Sequence, residues 1–590
     1  MQKKNISLQS KALLAFILTA AFLAYTPAMK NGWTKWDDHK YIIENPSVEN
    51  FSAHSIRQMF SVPVQGNYIP LTFLSFTLEK AFFGEKPKTF ILDNILLHLI
   101  NSLLVFFLLR MLLKDEWVAL VSAMLFALHP MHVESVAWIA ERKDVLYAFF
   151  LLLSLIVYLK YLRSEKIIWL GLSFLLMALS LLSKSIAVVI PFLLLALDNF
   201  SGKRLTDKKV ILEKVPFILL SVLFFYIARN SVEANAASMS TYHLSLPARV
   251  AMASYAFAHY LAKLLIPSGL SAYYPYPFLP SGTMPGIVWA YLLISTGGLC
   301  ALFWWGRRNR LLVFSFFFFF INLIPLLQLY PVGDALMADR FVYVASIGFF
   351  LPFIYGAGIL KETLSGMQFR VNASVLIIAA YFFYGTHQRC FAWKDSKTLW
   401  TDVLTKNNSI ALAHVNLGSA FFEERKKDSA FFHFGRAIEL DPQNKDANYN
   451  RGVIYFGRKE FQKAVADFQR TVCINSRDAG ALASLGISYT QLARYDSALT
   501  VYDACLGIDS LNAEVFLGRG LVKHLQRNLN GAMQDYSHAI ELHPDLADAF
   551  NKRGVLKIEM GDTTGACKDW QIAQKLGSLE VEAILKVYCK

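Results

Sequence analysis

The stretch Gly452-Val453-Ile454-Tyr455-Phe456-Gly457 opens a 34-residue unit that recurs through the last third of the chain. The same glycine returns at Gly418, Gly452, Gly486, Gly520 and Gly554. An alanine follows it by 12 residues, at Ala430, Ala464, Ala498, Ala532 and Ala566. An aromatic residue follows it by 16, at Phe434, Phe468, Tyr502, Tyr536 and Trp570. Small residues at a fixed spacing let two helices approach closely, so the pattern predicts stacked helix pairs.

This period is that of the tetratricopeptide repeat, and about five repeats fill residues 395–590. Two helices per repeat predict an α-solenoid with a concave groove. A groove of this kind favours binding of an acceptor peptide or partner protein. Pure architecture and self-association are the alternatives.

The remaining two thirds of the chain have the composition of a membrane protein. Of the 590 residues, 55% are hydrophobic and only 17% are charged, which is below the quarter typical of soluble proteins. We therefore predict an all-α protein with two domains, a polytopic transmembrane helical domain at 1–394 and the solenoid at 395–590. The net charge of +14 lies mainly in short basic segments between apolar runs. That distribution indicates cytoplasmic loops and contact with anionic lipid or a phosphorylated ligand, and not nucleic acid.

Twelve apolar runs are long enough, or nearly so, to cross a membrane. The first follows Lys3, Lys4 and Lys11 and is either a cleaved signal peptide or an anchor; the many later runs favour the anchor. The sides assigned to the basic clusters require that one of the runs 250–266 and 285–305 is not a full span. We interpret 250–266 as a re-entrant or interfacial helix and expect about eleven spans. This count places the loop 28–90, the loop 129–143 and the repeats outside the cytoplasm. The six cysteines form no CxxC pair and neither establish nor exclude an oxidising compartment.

The first outer loop carries two adjacent acids in Trp36-Asp37-Asp38-His39, followed by Asn45-Pro46. Adjacent acids in a loop are either hydrated surface residues or catalytic ones. Five further motifs follow in order: Asn67-Tyr68-Ile69-Pro70-Leu71-Thr72, Asn94-Ile95-Leu96-Leu97-His98, His129-Pro130-Met131-His132-Val133-Glu134-Ser135-Val136 with Arg142-Lys143-Asp144, Ser183-Lys184-Ser185, and Ala338-Asp339-Arg340-Phe341-Val342-Tyr343.

Taken together and in this order, the motifs resemble the transmembrane and tetratricopeptide-repeat O-mannosyltransferases, within the wider GT-C class of membrane glycosyltransferases. The likeness covers nearly the whole chain, with the repeats at the same end. Three positions depart from the family pattern: Ile69 replaces an arginine, Ser185 replaces an acid, and Asp339 replaces a glutamate.

The resemblance implies an enzyme that moves a mannose-like sugar from a polyprenyl- or dolichyl-phosphate donor to an acceptor hydroxyl, with protein Ser or Thr as the expected acceptor. The departures at Ile69 and Ser185 favour a bacterial relative in the inner membrane, with its catalytic loop and repeats extracytoplasmic. Tyr68, Asp339 and Tyr343 belong to the matched motifs and are expected at the substrate site.

Such a transfer requires a base for the acceptor hydroxyl and cations for the leaving phosphate. Asp37 and Asp38 are the candidate bases, and we favour Asp37 because it matches the first acid of the loop motif. Lys184 and Arg340 are candidate phosphate ligands, since an unpaired cation at a span end is costly. A structural pair of Arg340 with Asp339 or Asp334 is the alternative.

The second outer loop offers polar side chains with two interpretations. His129, His132 and Glu134 have ligand types that suit a divalent metal ion, but a hydrogen-bond network is the interpretation we prefer. No cofactor is certain; the same residues are equally candidates for the substrate pocket. Arg142 and Asp144 are expected to form an ion pair in the loop.

Two other functions fit the overall pattern. A non-enzymatic membrane scaffold would use the repeats to recruit envelope proteins. A flippase for lipid-linked sugars would place ionisable residues deep within the spans, whereas here most of them collect at span ends and outer loops, which argues against transport.

Overall fold

The computed structural model of the chain describes residues 6–235, 244–278, 283–329, 335–364 and 366–589. The chain divides into two compact units, Met1–Lys406 and Asn407–Lys590. The predicted division after residue 394 therefore differs from the structural one by a single helix, Ser396–Lys406. That helix belongs to the first unit because Trp400 packs against Trp36 at 5.0 Å and Ser396 Oγ accepts a hydrogen bond from Lys35 N.

The described part of the first unit is built from α-helices, as expected from the apolar runs. The helices are α1 Leu8–Tyr25, α2 Pro46–Glu49, α3 Ala53–Ser61, α4 Pro70–Phe83, α5 Pro87–Leu113, α6 Glu116–Leu128, α7 Val133–Ala137, α8 Arg142–Ser164, α9 Ile167–Ser183, α10 Ile190–Phe200, α11 Lys208–Asn235, α12 Leu246–Leu265, α13 Gly286–Gly306, α14 Arg310–Leu323, α15 Ala345–Thr363, α16 Met367–Cys390 and α17 Ser396–Lys406. A short antiparallel pair joins β1 Tyr274–Pro275 to β2 Ala335–Met337.

Several of these helices are long and apolar enough to cross a membrane. Within the described residues the spans that meet this criterion are Leu8–Lys30, Pro87–Leu113, Ile139–Ser164, Lys208–Glu233 and Met367–Trp393. A sixth arises if Glu116–Leu128 and Pro130–Ala137, which meet at a 52° bend, form one broken span. Four shorter apolar helices are Ile167–Ser183, Ser185–Phe200, Gly286–Cys300 and Arg310–Leu326. The count of eleven spans and the re-entrant assignment of 250–266 stay predictions. Asp334, an alternative partner for Arg340, lies outside the described residues.

The second unit consists of successive helix pairs, as the 34-residue period predicts. Its helices are α18 Ala411–Glu423, α19 Lys427–Leu440, α20 Lys445–Gly457, α21 Phe461–Ile474, α22 Ala479–Gln491, α23 Tyr495–Ile508, α24 Ala513–Leu525, α25 Leu529–Leu542, α26 Ala547–Glu559, α27 Thr563–Lys575 and α28 Val581–Tyr588. The repeated glycine faces the repeated aromatic ring: a Cβ at Gly452 would lie 2.8 Å from Phe468 Cε1. The prediction of close helix contact at the small residue is confirmed.

Two further kinds of contact stabilise the repeats. Arg451, Arg519 and Arg553 each form a two-pronged pair with an aspartate 16 residues later, as in Arg451–Asp467 at 2.7 and 2.8 Å. A disulfide joins Cys567 on α27 to Cys589 beyond α28. The bond ties the last helix to the last repeat.

Candidate active site

The loop that precedes Asp37 is held by aromatic packing and by the end of α16. Trp36 stacks on Trp138 with ring centroids 4.7 Å apart, and Trp138 stacks in turn on Trp393 at 5.1 Å. Asn31 donates a hydrogen bond to the Cys390 carbonyl at 3.1 Å. Because these contacts come from separate elements, the loop has a defined position next to the start of α8.

Asp38 is a buried structural residue of this loop. Its Oδ2 accepts from the backbone N–H and the hydroxyl of Thr34 at 2.8 and 2.7 Å, and its Oδ1 accepts from Ala140 N at 2.9 Å. The side chain is only 1% exposed. Burial raises the pKa of Asp38 to about 7, while the Thr34 and Ala140 donors oppose the rise. Since both oxygens already have donors, Asp38 connects the first loop to the second one.

Asp37 points in a different direction and keeps 29% of its side chain exposed. Its Oδ2 lies 3.9 Å from Lys143 Nζ. Burial raises the pKa of Asp37 above its ordinary value; Lys143 and Arg340 lower it, and Glu141 raises it further. Asp37 is thus an accessible carboxylate next to a charged cluster, with an increased affinity for a proton.

The cluster beside Asp37 is centred on Glu141, which is 1% exposed. Its carboxylate lies 3.1 Å from Lys143 Nζ, 3.3 Å from Arg340 Nε and 3.6 Å from Lys184 Nζ. Glu141 was not among the residues selected from the sequence. The available signal was the uninterrupted charged run Glu141-Arg142-Lys143-Asp144 directly before an apolar span, where unpaired charge is costly.

Arg340 is paired within this cluster and not with its neighbour Asp339. Its guanidinium contacts Glu134 Oε1, and its backbone N–H donates to Glu134 Oε2 at 3.1 Å. The guanidinium carbon also lies 5.5 Å from the centre of the Trp138 ring. About 19% of the side chain stays exposed, so the cation is both fixed and accessible.

Lys184 lies on the other side of Glu141. Its ammonium pairs with Asp144, whose Oδ2 accepts from Ser135 Oγ at 3.0 Å, and 18% of the lysine side chain is exposed. The prediction that Arg142 forms an ion pair with Asp144 is wrong, because the Asp144 carboxylate is paired with Lys184. Arg142 instead pairs with Glu79.

Arg142 lies away from the exposed side of the cluster. Its Nε donates to Asn94 Oδ1 at 2.9 Å and its Nη2 to the Phe90 carbonyl at 2.7 Å. These contacts and the pair with Glu79 join α4, α5 and α8 and leave the side chain 2% exposed. The arrangement favours a structural role, and substrate binding by Arg142 has no support in its position.

The histidines predicted for the site form a buried hydrogen-bond network. His129 Nε2 lies 3.0 Å from the Leu264 carbonyl and His132 Nδ1 lies 2.8 Å from the Phe126 carbonyl. The hydroxyl of Tyr343 is 2.8 Å from His98 Nδ1. His129, His132 and Tyr343 therefore line the core beneath the charged cluster.

The same contacts argue against a metal centre at these residues. The second nitrogen of His129 accepts from Met131 N, and that of His132 meets Ser346 Oγ at 3.2 Å. The Glu134 carboxylate forms an ion pair with Arg340. Across the residues that the structure describes, no three His, Cys, Asp or Glu side chains are arranged to hold a metal ion. The donor set does not fit a divalent ion here.

Two further predicted residues lie outside the Glu141 cluster. Asp339 Oδ1 accepts from the Tyr274 hydroxyl at 2.6 Å, and burial raises its pKa while Arg389 opposes the rise. The Tyr68 hydroxyl donates to the Phe60 carbonyl at 3.1 Å, and its ring packs on Phe224. The structure thus brings Asp37, Glu134, Lys184 and Arg340 together and separates Asp339 and Tyr68 from them.

An apolar cavity of about 470 Å³ lies between α12, α13, α14 and α15. Its walls include Phe257, Leu261, Phe319 and Phe349. Two of the wall helices also reach the site region: Tyr260 of α12 donates to the Ala338 carbonyl at 3.2 Å, and α15 begins just after Arg340. The cavity has the shape and chemistry to accept a hydrocarbon chain.

Comparison with known proteins yields matches for both units. The family described as "Dolichyl-phosphate-mannose-protein mannosyltransferase" matches residues 69–228, and tetratricopeptide repeats match 415–481 and 479–510. Protein O-mannosyl-transferase TMTC3 of Mus musculus is 24% identical over 431 residues, covering 65% of this chain and 45% of the relative. The Homo sapiens protein of that name is 23% identical, covering 76% and 53%. Protein O-mannosyl-transferase F38B6.6 of Caenorhabditis elegans is 24% identical, covering 73% and 63%.

The chain therefore spans about half the length of these relatives. Among solved structures, YrrB, described as "a TPR protein with an unusual peptide-binding site", is 19% identical with a TM-score of 0.29, covering 32% of this chain and 97% of that one. The tetratricopeptide protein TTC0263 of Thermus thermophilus is 20% identical with a TM-score of 0.27, covering 30% of this chain and 99% of that one.

Proposed function

This chain belongs to the transmembrane and tetratricopeptide-repeat (TMTC-like) family of the protein O-mannosyltransferase class, and from that premise we propose that it is a membrane glycosyltransferase. It transfers a mannose-like sugar from a polyprenyl- or dolichyl-phosphate donor to an acceptor hydroxyl, with protein Ser or Thr as the acceptor. The observation that carries the proposal is the partly exposed carboxylate of Asp37 next to the Glu141 cluster, which contains two accessible cations, Arg340 and Lys184.

Asp37 is the proposed base. The acceptor hydroxyl loses its proton to this carboxylate while its oxygen attacks the sugar's anomeric carbon. The raised pKa of Asp37 suits proton transfer better than that of an ordinary surface aspartate. Asp38 is the weaker candidate for this role, because its hydrogen bonds to Thr34 and Ala140 engage both of its oxygens.

Arg340 and Lys184 are the proposed ligands of the leaving phosphate. As the anomeric carbon–oxygen bond breaks, negative charge develops on the lipid phosphate, and two nearby cations stabilise it. A single displacement of this kind inverts the configuration at the anomeric carbon. The apolar cavity between α12 and α15 is the proposed location of the isoprenoid chain. The proposal gives His129, His132 and Glu134 no metal-binding role, because these side chains are engaged with the protein.

The repeats are proposed to bind the acceptor or a partner protein, as helix-pair solenoids commonly do. The residue after the repeated glycine supports this role, because it is apolar and partly exposed in four repeats: Val453, Ile487, Leu521 and Val555. The proposed location is a bacterial inner membrane, with the catalytic loop and the repeats extracytoplasmic. The disulfide Cys567–Cys589 supports an oxidising compartment for the repeats.

The test is transfer by the purified full chain with a panel of polyprenyl-phosphate sugars, read by mass spectrometry of candidate acceptor peptides. We expect Asp37→Asn to reduce kcat by about 10² to 10⁴, the range for loss of a general base. Glu49→Gln is the matched control, since Glu49 is an exposed carboxylate of the same outer region. Full activity of Asp37→Asn would overturn the base assignment. Absence of transfer with every donor would favour a scaffold.

Loss of activity in Asp38→Asn has a different expected cause. An amide has only one acceptor oxygen, so it cannot accept from the Thr34 donors and from Ala140 N as the two carboxylate oxygens do. We therefore expect a loss of stability of about 1–3 kcal/mol. Thermal unfolding of both variants separates the two roles: Asp38→Asn should melt earlier and Asp37→Asn should not.

A further inference from the structure

A second cavity, which is polar and has a volume of about 260 Å³, lies where the end of α16 meets α17 and the loop that follows α12. Its walls include Pro130, Gly269, Gln388, Arg389, Asp402 and Lys406. None of these residues has a role in the proposed transfer. Asp339, whose pKa Arg389 lowers, lies toward this region, whereas Arg340 pairs with Glu134 and Glu141.

The cavity has more positive than negative charge. Arg389 and Lys406 share one carboxylate, Asp402, at 2.6 and 2.5 Å. The other nearby ions, Lys263 and Asp339, offset each other. Among the described residues, one cation thus has no matching carboxylate in the immediate surroundings.

Arg389 also has an incomplete set of hydrogen-bond acceptors. Its side chain is 9% exposed, and within the described parts of the chain its Nη2 has no acceptor. A buried guanidinium group with a missing acceptor is costly, and an anion removes that cost. The orphan donor and the charge surplus are independent observations that indicate an anionic ligand.

The position of the cavity indicates which anion is available. Arg389 lies at the end of the candidate span Met367–Trp393. The last two turns of this helix and the residue that follows it carry the exposed aromatic residues Tyr384 and Phe391. Exposed aromatic rings at a span end are typical of the level of the lipid headgroups, where phosphate is abundant.

We propose that Arg389 and Lys406 form a phosphate-binding site at the membrane surface, distinct from the site around Glu141. Arginine donates to two phosphate oxygens in one plane, and the lysine supplies a further donor. The phosphate belongs to a phospholipid headgroup or to a free phosphate ion, which have the same chemistry at this site. Binding there does not depend on the transferase proposal.

The experiment uses the purified full chain and two probes. Native mass spectrometry counts the lipid molecules that the protein retains from phosphatidylglycerol, with phosphatidylcholine as the comparison. Thermal unfolding in inorganic phosphate, compared with chloride at equal ionic strength, measures binding of the free ion. Gln388→Glu adds a negative charge to the cavity wall without removing an ion pair. Gln368→Glu, exposed near the other end of the same helix, is its matched control. Lys406→Gln removes one of the two cations.

We expect Gln388→Glu and Lys406→Gln to weaken binding of the retained anion at least tenfold and Gln368→Glu to leave it unchanged. Selective retention of phosphatidylglycerol assigns the site to a headgroup, and stabilisation by inorganic phosphate alone assigns it to the free ion. Equal binding by wild type and Gln388→Glu, or no binding of either probe by wild type, would overturn the proposal. Arg340→Gln, which removes a proposed ligand of the donor phosphate, should keep the binding that Gln388→Glu weakens, and this result separates the two sites.

Discussion

Glu141 Oε1 lies 3.3 Å from Arg340 Nε, although the two residues are almost 200 positions apart in the chain. The same carboxylate lies near the ammonium groups of Lys143 and Lys184. One buried acid therefore contacts both cations that we assign to the donor phosphate, in addition to their own partners Glu134 and Asp144. Glu141 is a positioning residue, because it acts on the reaction through Arg340 and Lys184.

Replacing Glu141 tests this arrangement. In Glu141→Gln the neutral amide no longer holds three cations, so Arg340 and Lys184 shift relative to the phosphate. Because a displacement of about 1 Å costs roughly 10²-fold in rate, we expect kcat/KM for the donor to fall by about that factor. The KM for donor should rise while the KM for the acceptor peptide stays near its wild-type value.

Glu141→Asp, which keeps the charge, should recover part of the loss. Glu49→Gln is again the control for a carboxylate-to-amide change. Equal effects on the donor and acceptor KM, or no effect at all, would show that Glu141 does not position the phosphate ligands.

The pH dependence of transfer reports on Asp37. A base works in its deprotonated form, so activity rises with pH through the pKa of that group. Since burial raises the pKa of Asp37, the acid limb of kcat/KM should lie above the ordinary aspartate range. Lys143 lowers this pKa, and its removal in Lys143→Gln should move the limb to higher pH.

Lys40→Gln is the matched control for the pH experiment, because Lys40 is an exposed lysine of the same loop and pairs only loosely with Glu44 at 3.9 Å. Its profile should overlay that of wild type. An acid limb in Lys143→Gln that stays in place or moves to lower pH would contradict the assignment of Asp37 as the titrating base.

The repeats were predictable from the sequence because every decisive contact is local and periodic. Gly452 and Phe468 are 16 residues apart, and the same pair of positions recurs in each unit. The all-α class of the first unit was also predictable from local sequence, because an apolar run long enough to cross a membrane indicates a helix. The motif favours Asp37 over Asp38 as the base, and the hydrogen bonds of Asp38 support that prediction.

The charge pairs were not predictable, because they join residues that are far apart in the chain. Arg142 meets Glu79 and Arg340 meets Glu134, and neither pairing follows from spacing or composition. The expected pair Arg142–Asp144 failed because neighbours on one helix point to different sides. Glu141 lies one residue before the matched Arg142-Lys143-Asp144 motif, so the family pattern does not point to it.

Close helix packing at the repeated glycine leads to a stability prediction. A Cβ at Gly486 would lie 2.5 Å from Tyr502 Cε1, so Gly486→Ala forces the helices of that repeat apart. We expect a loss of about 1–3 kcal/mol, the usual cost of overpacking. Gly435→Ala is the control, because Gly435 lies within α19 with no described atom near its Cβ position, and there alanine should stabilise the helix by up to about 1 kcal/mol. Hydrogen exchange of the third repeat measures the difference, and equal protection in both variants would contradict the packing argument.

The disulfide gives a prediction for the last helix and for the compartment. Cys567 and Cys589 close a loop of 22 residues, and a cross-link of this size stabilises a fold by roughly 2–4 kcal/mol. In Cys589→Ser we expect faster hydrogen exchange in α28, with the earlier repeats unchanged, because the bond joins the end of α28 to α27 and to no other repeat. Cys473→Ser is the control, since Cys473 is an exposed free thiol of an earlier repeat. In intact cells, Cys567 and Cys589 should resist alkylation until a reductant is added. Free thiols at both positions before reduction would contradict both the bond and the extracytoplasmic side proposed for the repeats.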